Sequence, residues 1–167
     1  MSSSTSIPSL DHLILLVPSS ASKSLPLATS IFSSLGFTVK QGGTHEDGLT
    51  SNILIVLNDG VYLELISFEE EDLKSDKRLS HWWGRKDAGW IDFCLLGYPT
   101  KDNEIGKQYQ DGIKGGRQTK DGKKLKWEVT FPKLDEEVGE KRGAKPFFCQ
   151  DVDGTQRDWR GESSEEP

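Results

Sequence analysis

The chain of 167 residues is long enough for one domain with a core, or for two small modules that share one. Its net charge of -6 and pI near 5.1 argue against a nucleic-acid-binding surface, because phosphate backbones attract clusters of Lys and Arg. The Ser/Thr-rich residues 1–9 predict a disordered start rather than a secretory signal, and no apolar stretch reaches membrane-spanning length. We therefore expect a cytoplasmic or nuclear protein that binds neither nucleic acid nor membrane.

The first half of the chain predicts the order β-α-β-β-β. The branched apolar run at 10–17, which ends at Pro18, is typical of a strand that is buried on both faces. Apolar residues then recur at helical spacing from Leu25 to Leu35, and Gly36 follows where a helix C-cap is expected. Three further strands are predicted over 37–40, 52–57 and 61–68, with a Gly-rich bend over 42–48 and an Asn-Asp-Gly turn over 58–60.

The second half repeats this order more weakly. We interpret the charged stretch that opens 69–88 as a linker or a short surface helix. The elements predicted after it are a strand over 89–96, a short polar helix over 102–112, a hairpin of strands over 114–119 and 124–131, and a last strand over 145–150. An internal duplication explains this pattern most simply, with a first module over 10–68, a second over 89–151 and a polar acidic tail over 152–167.

Two features of the sequence are expected to be structural rather than functional. Gly and Asp residues interrupt the Lys/Arg-rich stretch 114–126, which favours a solvated turn, with attraction of an anion as the alternative. Cys94 and Cys149 lie in apolar strands without metal-type spacing, so we expect reduced thiols in the core.

The order and spacing of several short motifs resemble the glyoxalase-like domain family of the vicinal-oxygen-chelate superfamily. The motifs are Leu10-Asp11-His12, Gly42-Gly43-Thr44-His45, Tyr62-Leu63-Glu64-Leu65, Gly89-Trp90-Ile91-Asp92, Asp121-Gly122 ahead of Trp127, and Pro146-Phe147-Phe148. The resemblance covers roughly residues 10–151. It implies an α+β fold in which tandem βαβββ modules form a half-open curved sheet around a cleft.

Metal-dependent members of that superfamily use a divalent ion as a Lewis acid on two vicinal oxygens of a substrate. By this resemblance, His12 and Glu64 are ligand candidates in the first module, and Asp92 and Gln150 take the corresponding places in the second. The period of a strand supports the first pair independently, because each residue shares its face with inward-looking apolar neighbours. The alternative is a neutral core histidine hydrogen-bonded to a buried carboxylate.

The implied cofactor is a divalent metal, and no organic cofactor is expected. A set of His, Glu, Asp and Gln is rich in oxygen, which suits Mn²⁺, Mg²⁺ or Fe²⁺ better than a structural Zn²⁺, although Zn²⁺ stays among the candidates. For Asp92 the alternative is a buried acid held by backbone donors. For Gln150 it is an edge-strand amide that faces water.

Further candidates surround the expected cleft. His45, in the Gly-rich bend, is a candidate third ligand, general base or substrate contact, with a solvated loop histidine as the alternative. Asn52 either binds a substrate carbonyl or caps a turn. Trp82 and Trp83 either pack between the modules or line the cup against an apolar substrate. The adjacent Arg85-Lys86 pair either holds a carboxylate or lies on a surface turn.

Three hypotheses for function follow. The first is a metal-assisted isomerase, lyase or ring-opening dioxygenase that acts on a small oxygenated molecule. The second is a metal-free protein that binds or sequesters a small molecule between aromatic walls. The third is a vestigial scaffold that acts through dimerisation, and a homodimer is therefore among the expected assemblies.

Overall fold

The computed structural model describes residues 8–69, 74–99, 104–119, 122–135 and 140–152. The elements are β1 (Leu10–Leu16), α1 (Ala21–Ser34), β2 (Val39–Thr44), β3 (Thr50–Val56), β4 (Tyr62–Phe68), α2 (Asp76–Ser80), β5 (Gly89–Leu96), a 3-10 helix (Gly106–Gln108), β6 (Ile113–Gln118), β7 (Lys124–Thr130) and β8 (Phe147–Asp151). Every predicted strand is present. The disordered start and acidic tail predicted over 1–9 and 152–167 lie outside the described residues, except for 8, 9 and 152.

The helix predicted over 102–112 lies partly outside the described residues, and within them it is reduced to the 3-10 turn. Within the described residues the second module therefore has a shorter helical segment than the first. No helix in the described ranges is long and apolar enough to cross a bilayer.

All eight strands form one mixed sheet in the order β2-β3-β4-β1-β5-β8-β7-β6. Within each module the first strand pairs in parallel with the last, and the two modules join through antiparallel pairing of β1 with β5. The edge strands come together where His45 bridges to Arg117 and where the Glu46 N–H donates to the Gly116 carbonyl at 3.1 Å. The expected α+β fold with a curved sheet is thus confirmed, and the sheet is nearly closed.

Two β-bulges interrupt the pairing of β1 with β5. Asp11 is the extra residue on β1, and Ile91 is the extra residue on β5. Each bulge directly precedes an acidic or basic residue that the sequence marked as a candidate ligand, His12 in one module and Asp92 in the other. The same irregularity at the same place in both modules supports an internal duplication.

Apolar clusters lie on both faces of the sheet. The outer cluster packs α1 against the first module through Leu25, Ala28, Ile53, Ile55 and Leu65. The inner cluster lies inside the curve of the sheet and includes Ile14, Leu16, Ile66, Phe68, Trp83, Ile91, Cys94, Phe147 and Cys149. Both cysteines are free and buried, as expected. His12 lies two residues before Ile14 and Glu64 lies two residues before Ile66, so both share the inner face, as predicted.

The segment between the modules is packed into this core rather than loosely attached. Ser75 caps α2 by accepting a hydrogen bond from the Arg78 N–H at 3.3 Å. The Arg78 guanidinium lies 4.1 Å from the centre of the Phe68 ring and donates to the Gly84 carbonyl at 3.1 Å. A Cβ atom on Gly84 would lie 1.7 Å from the Arg78 carbonyl oxygen. Only glycine allows this close approach.

We expect Gly84→Ala to destabilise the protein by about 2 kcal/mol or more, because the added methyl group meets backbone that cannot move aside without displacing Arg78. Urea denaturation followed by tryptophan fluorescence measures the change. Lys77→Ala, an exposed change on α2, is the matched control and should stay within about 0.5 kcal/mol. Equal stability of the two variants would contradict the packing of this segment.

The stability of the folded protein should depend on pH through His81, which follows α2 and lies among aromatic rings. Burial is the main cause that lowers the pKa of His81 to about 4. Nearby charges act in both directions, since Asp47 raises this pKa whereas His45, Arg142 and Arg78 lower it. Because the unfolded chain then binds the proton more readily than the folded one, this histidine reduces stability as the pH falls from 6.5 towards 4.

His81→Asn keeps an acceptor near the Trp83 N–H, which donates to the His81 Nδ1 at 3.2 Å, but removes the titrating ring. Between pH 7 and pH 4.5 we expect wild type to lose about 2 kcal/mol more stability than this variant. Denaturant titrations at a series of pH values measure the difference. Parallel profiles would show that His81 does not contribute to acid sensitivity.

Candidate functional site

A cavity of ≈ 450 Å³ lies inside the curve of the sheet and is lined by both modules. One side carries His12, His45 and Glu64, while the rings of Trp82 and Phe131 belong to the opposite, aromatic side. This volume is in the range of small-molecule sites.

Glu64 lies between two imidazole rings. Its Oε2 is 3.5 Å from the His12 Nε2, and its Oε1 is 3.8 Å from the His45 Nε2. In the pairing of β1 with β4, His12 lies opposite Tyr62 and Glu64 opposite Ile14, so His12 and Glu64 are diagonal neighbours. Both side chains are less than a tenth exposed. The structure thus brings these three candidates together at one end of the cavity.

The bulge at Asp11 determines the orientation of His12. The extra residue turns the Asp11 carboxylate towards the His12 ring, and Asp11 Oδ2 lies 2.7 Å from His12 Nδ1. A carboxylate only accepts, so His12 Nδ1 carries a proton, and Nε2 is the ring nitrogen that faces Glu64. Tyr62 stacks on the ring with centroids 4.5 Å apart, which fixes its plane.

Asn52 holds the Glu64 carboxylate in place. Its Oδ1 accepts hydrogen bonds from the Gly43 N–H at 3.2 Å and from Arg117 Nη1 at 3.1 Å, and these two donors fix which end of the amide faces Glu64. The Asn52 Nδ2 then donates to Glu64 Oε1 at 2.6 Å. A Cβ atom on Gly42 would lie 1.9 Å from the Asn52 Oδ1, so a side chain there would disrupt this arrangement.

His45 is more ordered and more buried than the sequence predicted. The glycines before it lie within β2 rather than in a bend, and its side chain is 18% exposed. Its Nδ1 lies 2.6 Å from the Thr50 Oγ1, while its Nε2 faces Glu64 and is 3.4 Å from the Asn52 Nδ2. Burial is the main cause that lowers the pKa of His45, so its ring is neutral at pH 7.

Each of the two histidines forms with Glu64 a pair that could share a divalent metal ion. Donor atoms that share an ion with bonds of about 2.1 Å lie about 3.0 to 4.2 Å apart, and both distances from Glu64 to the histidines fall in this range. Two imidazoles and a carboxylate are a donor set that suits Fe²⁺, Mn²⁺ or Zn²⁺. Asp11 and Thr50 bond the opposite ring nitrogens, as partners of metal-binding histidines usually do.

A second group, Asp11, His12 and Cys94, has potential ligand atoms within 4.8 Å of one another. In this group the Asp11–His12 contact is already a hydrogen bond of 2.7 Å. Burial also raises the pKa of the Cys94 thiol well above its usual value, and a protonated thiol is a poor ligand. In ligand chemistry Glu64 and its two histidines suit an ion better, whereas Asp11, His12 and Cys94 are the group whose ligand atoms converge.

Asp92 does not reach the group around Glu64. Its Oδ2 accepts hydrogen bonds from the indole N–H groups of Trp82 at 3.1 Å and Trp83 at 2.8 Å, and its Oδ1 accepts one from the Phe93 N–H at 2.9 Å. Burial raises the pKa of this carboxyl, and the three hydrogen bonds oppose that shift. The geometry matches the alternative of a buried acid, with indoles as the main donors. Both tryptophans line the cavity.

Gln150 is also separate from the group around Glu64. It is exposed on the outer face of the second module, where it lines a different cavity. His12 and Asp92 each follow a bulge and so take corresponding places in the two modules. Ile14, two residues after His12, pairs with Glu64, and Cys94, two residues after Asp92, pairs with Phe147. Phe147, not Gln150, therefore stands at the place that corresponds to Glu64.

Sequence reasoning missed Arg117. It was grouped with a solvated basic turn, whereas it is 5% exposed and donates to Asn52. The sequence does contain a pattern that could have indicated a site residue here. Gly115-Gly116 precedes Arg117 much as Gly42-Gly43 precedes Thr44 and His45. The two Gly-Gly pairs lie in the two edge strands that meet.

Comparison with known proteins gives a family and several similar structures. Residues 10–165 match the model of the glyoxalase-like domain family. A hypothetical protein from Staphylococcus aureus superposes with a TM-score of 0.68 at 20% identity, over 95% of this chain and 66% of its own. Methylmalonyl-CoA epimerase from Streptomyces coelicolor, in complex with 2-nitronate-propionyl-CoA, superposes with a TM-score of 0.54 at 14% identity, over 89% of this chain and 100% of its own.

A hypothetical protein from Bacillus halodurans C-125 is similar in the same way, with a TM-score of 0.55 at 13% identity, over 87% of this chain and 96% of its own. A search of curated proteins finds no significant match. The chain thus spans about two thirds of the length of the Staphylococcus aureus protein and nearly the whole length of the other two. At these identities the structural matches establish a shared fold. Together with the family match over most of the sequence, they show that the chain belongs to the glyoxalase-like domain family and has the vicinal-oxygen-chelate fold.

Proposed function

We propose that the protein is a divalent-metal-dependent enzyme that acts on a small oxygenated molecule in the cavity, with His12, Glu64 and His45 at its centre. The observation that carries this proposal is the position of the Glu64 carboxylate between two Nε2 atoms, at 3.5 and 3.8 Å. The lone pair of an unprotonated Nε2 atom repels the buried Glu64 carboxylate beside it. Either a proton or a cation between the nitrogen and the carboxylate removes this repulsion. A cation held by Glu64 and His12 satisfies both groups, and His45 faces the other oxygen of the same carboxylate.

Each side chain has a defined part in this proposal. His12 and Glu64 hold the ion, Asp11 keeps His12 in the tautomer that binds it, and Asn52 orients Glu64. The bound ion supplies Lewis acidity towards two neighbouring oxygens of the substrate. His45 offers an unprotonated Nε2, either as a third ligand or as the base that takes a proton from the substrate.

The metal requirement is tested by calorimetric titration of chelator-treated protein with Mn²⁺, and with Fe²⁺ under anaerobic conditions. Glu64→Gln and His12→Gln should weaken binding by more than about 100-fold, because a neutral amide oxygen is a much weaker ligand for these ions than a carboxylate or an imidazole. Gln150→Ala, which changes the outer face, is the matched control and should change the affinity by less than about twofold. Unchanged binding in His12→Gln would remove the proposed site.

The role of His45 is tested in the same titration. A loss in His45→Gln similar to that in His12→Gln identifies a ligand, whereas metal binding close to wild type combined with lost turnover identifies a base. The metal that supports turnover also separates the reaction classes. A requirement for Fe²⁺ and dioxygen favours a ring-opening dioxygenase, while activity with Mn²⁺, Mg²⁺ or Zn²⁺ without dioxygen favours an isomerase or lyase.

The second candidate function is metal-free binding or sequestration of a small molecule. The aromatic side of the cavity favours it, because large rigid rings bind flat ligands without a metal. This function predicts that chelator-treated protein binds its ligand as tightly as untreated protein and that Glu64→Gln leaves the affinity unchanged. Any metal-dependent turnover would exclude sequestration as the main function.

A further inference from the structure

We infer that the cavity takes a flat organic acid whose carboxylate binds Arg142, at the end away from Glu64. The inference deepens the proposed function by naming a substrate class. It rests on that proposal for the orientation of the substrate's oxygens towards His12 and Glu64, whereas the carboxylate site rests on contacts of its own.

A continuous row of rings runs along the cavity from His12 to Arg142. The successive distances are 5.4 Å from His12 to Phe147, 5.3 Å from Phe147 to Phe131, 4.3 Å from Phe131 to Trp82, and 4.8 Å from the Trp82 ring to the Arg142 guanidinium carbon. All five residues line the same cavity. A planar ligand that lies along this row contacts ring faces and edges over its whole length, so the row favours a flat apolar body.

Arg142 is fixed in position at the end of this row. Its Nη1 donates to the backbone carbonyls of His81, at 2.8 Å, and Trp82. These bonds tie the loop before β8 to the segment between the modules and hold the guanidinium against the Trp82 ring. The position of the charge is therefore set before any ligand arrives, which reduces the entropic cost of binding.

The charge of Arg142 has no acidic partner in the part of the chain that the structure describes. Glu140, the nearby acid, pairs with Lys145 at 2.8 Å. The remaining guanidinium donors of Arg142 thus have no partner among the described residues. A half-buried guanidinium with free donors matches the planar, two-oxygen geometry of a carboxylate.

The other charges of the cavity place the acid group at the same end. Glu46, Asp47 and Glu64 line the side that belongs to the first module and repel a second carboxylate there. Arg117 is already bonded to Asn52. Lys114 lies exposed at the rim, where water screens its charge. Arg117 and Arg142 both line the cavity and are held by the fold, and Arg142 is the one that lies on the aromatic row, away from the acidic groups of the first module.

The test is a calorimetric comparison of two probes, 2-naphthoate and its neutral counterpart 2-naphthamide, on chelator-treated protein. Wild type should bind the acid at least about tenfold more tightly than the amide, because a charge-assisted pair with Arg142 is made with the acid alone. In Arg142→Gln this preference should disappear while the affinity for the amide stays within about twofold of wild type. Arg142→Lys keeps the positive charge but not the two parallel N–H donors of the guanidinium, and it should retain part of the preference for the acid.

Matched variants keep the outcomes distinct. Arg85→Gln removes the same charge from an exposed position outside the cavity and should keep the full preference. Glu64→Gln should lose metal binding yet keep the preference for the acid, so failure of the metal proposal and failure of this inference give different results. Equal binding of both probes by wild type would overturn the inference. So would a preference that survives in Arg142→Gln or is lost in Lys114→Gln instead.

Discussion

Antiparallel hydrogen bonding between β1 and β5 joins the two modules, and the position of every residue in the site follows from it. Because the modules meet through their first strands, their concave faces become one surface, and the cavity lies along the join. The extra residue in β1 turns Asp11 onto the ring of His12. Without that bulge, Asp11 would lie on the opposite face of the sheet, and the ring would lose the contact that sets its tautomer.

The two modules differ in what their inner faces carry. In the first module the inner face keeps polar groups, and they are linked through Asn52 and Glu64. In the second module Asp92 binds two indoles, and Phe147 stands where the first module has its glutamate. A symmetric fold thereby encloses an asymmetric cavity, with His12, Glu64 and His45 at one end and an aromatic, cationic surface at the other. This asymmetry gives a bound ligand a defined direction.

The parts of the structure that could be predicted are those that depend on local pattern. Alternation along a strand is a property of the backbone, so the inner positions of His12 and Glu64 followed from the sequence, and the motif order predicted the fold. The place of Gln150 could not be predicted in this way. It depends on the register of β8, which the irregular stretch before that strand leaves undetermined, and a shift of one residue exchanges the two faces.

The remaining differences between the predicted and the observed site come from contacts between segments that are distant in the sequence. Arg117 is buried because β6 meets β2, and nothing near it in the sequence indicates that contact. His45 was expected in a flexible bend because glycine usually weakens a strand, but glycine also permits two backbones to approach closely at an edge. Arg142 was not predicted as a cavity residue, because its position depends on hydrogen bonds to backbone carbonyls of a segment that is distant in the sequence.

The line along which the curved sheet closes passes through the site itself. His45 bridges to Arg117 at this line, and the neighbouring Glu46 N–H bonds to Gly116. Parting these two edges would open a side entrance to the cavity and would also draw one imidazole away from Glu64. The same motion would then admit a ligand and separate His45 from Glu64. A molecule that contacts both modules from inside the cavity would hold the two edges together and keep His45 beside Glu64.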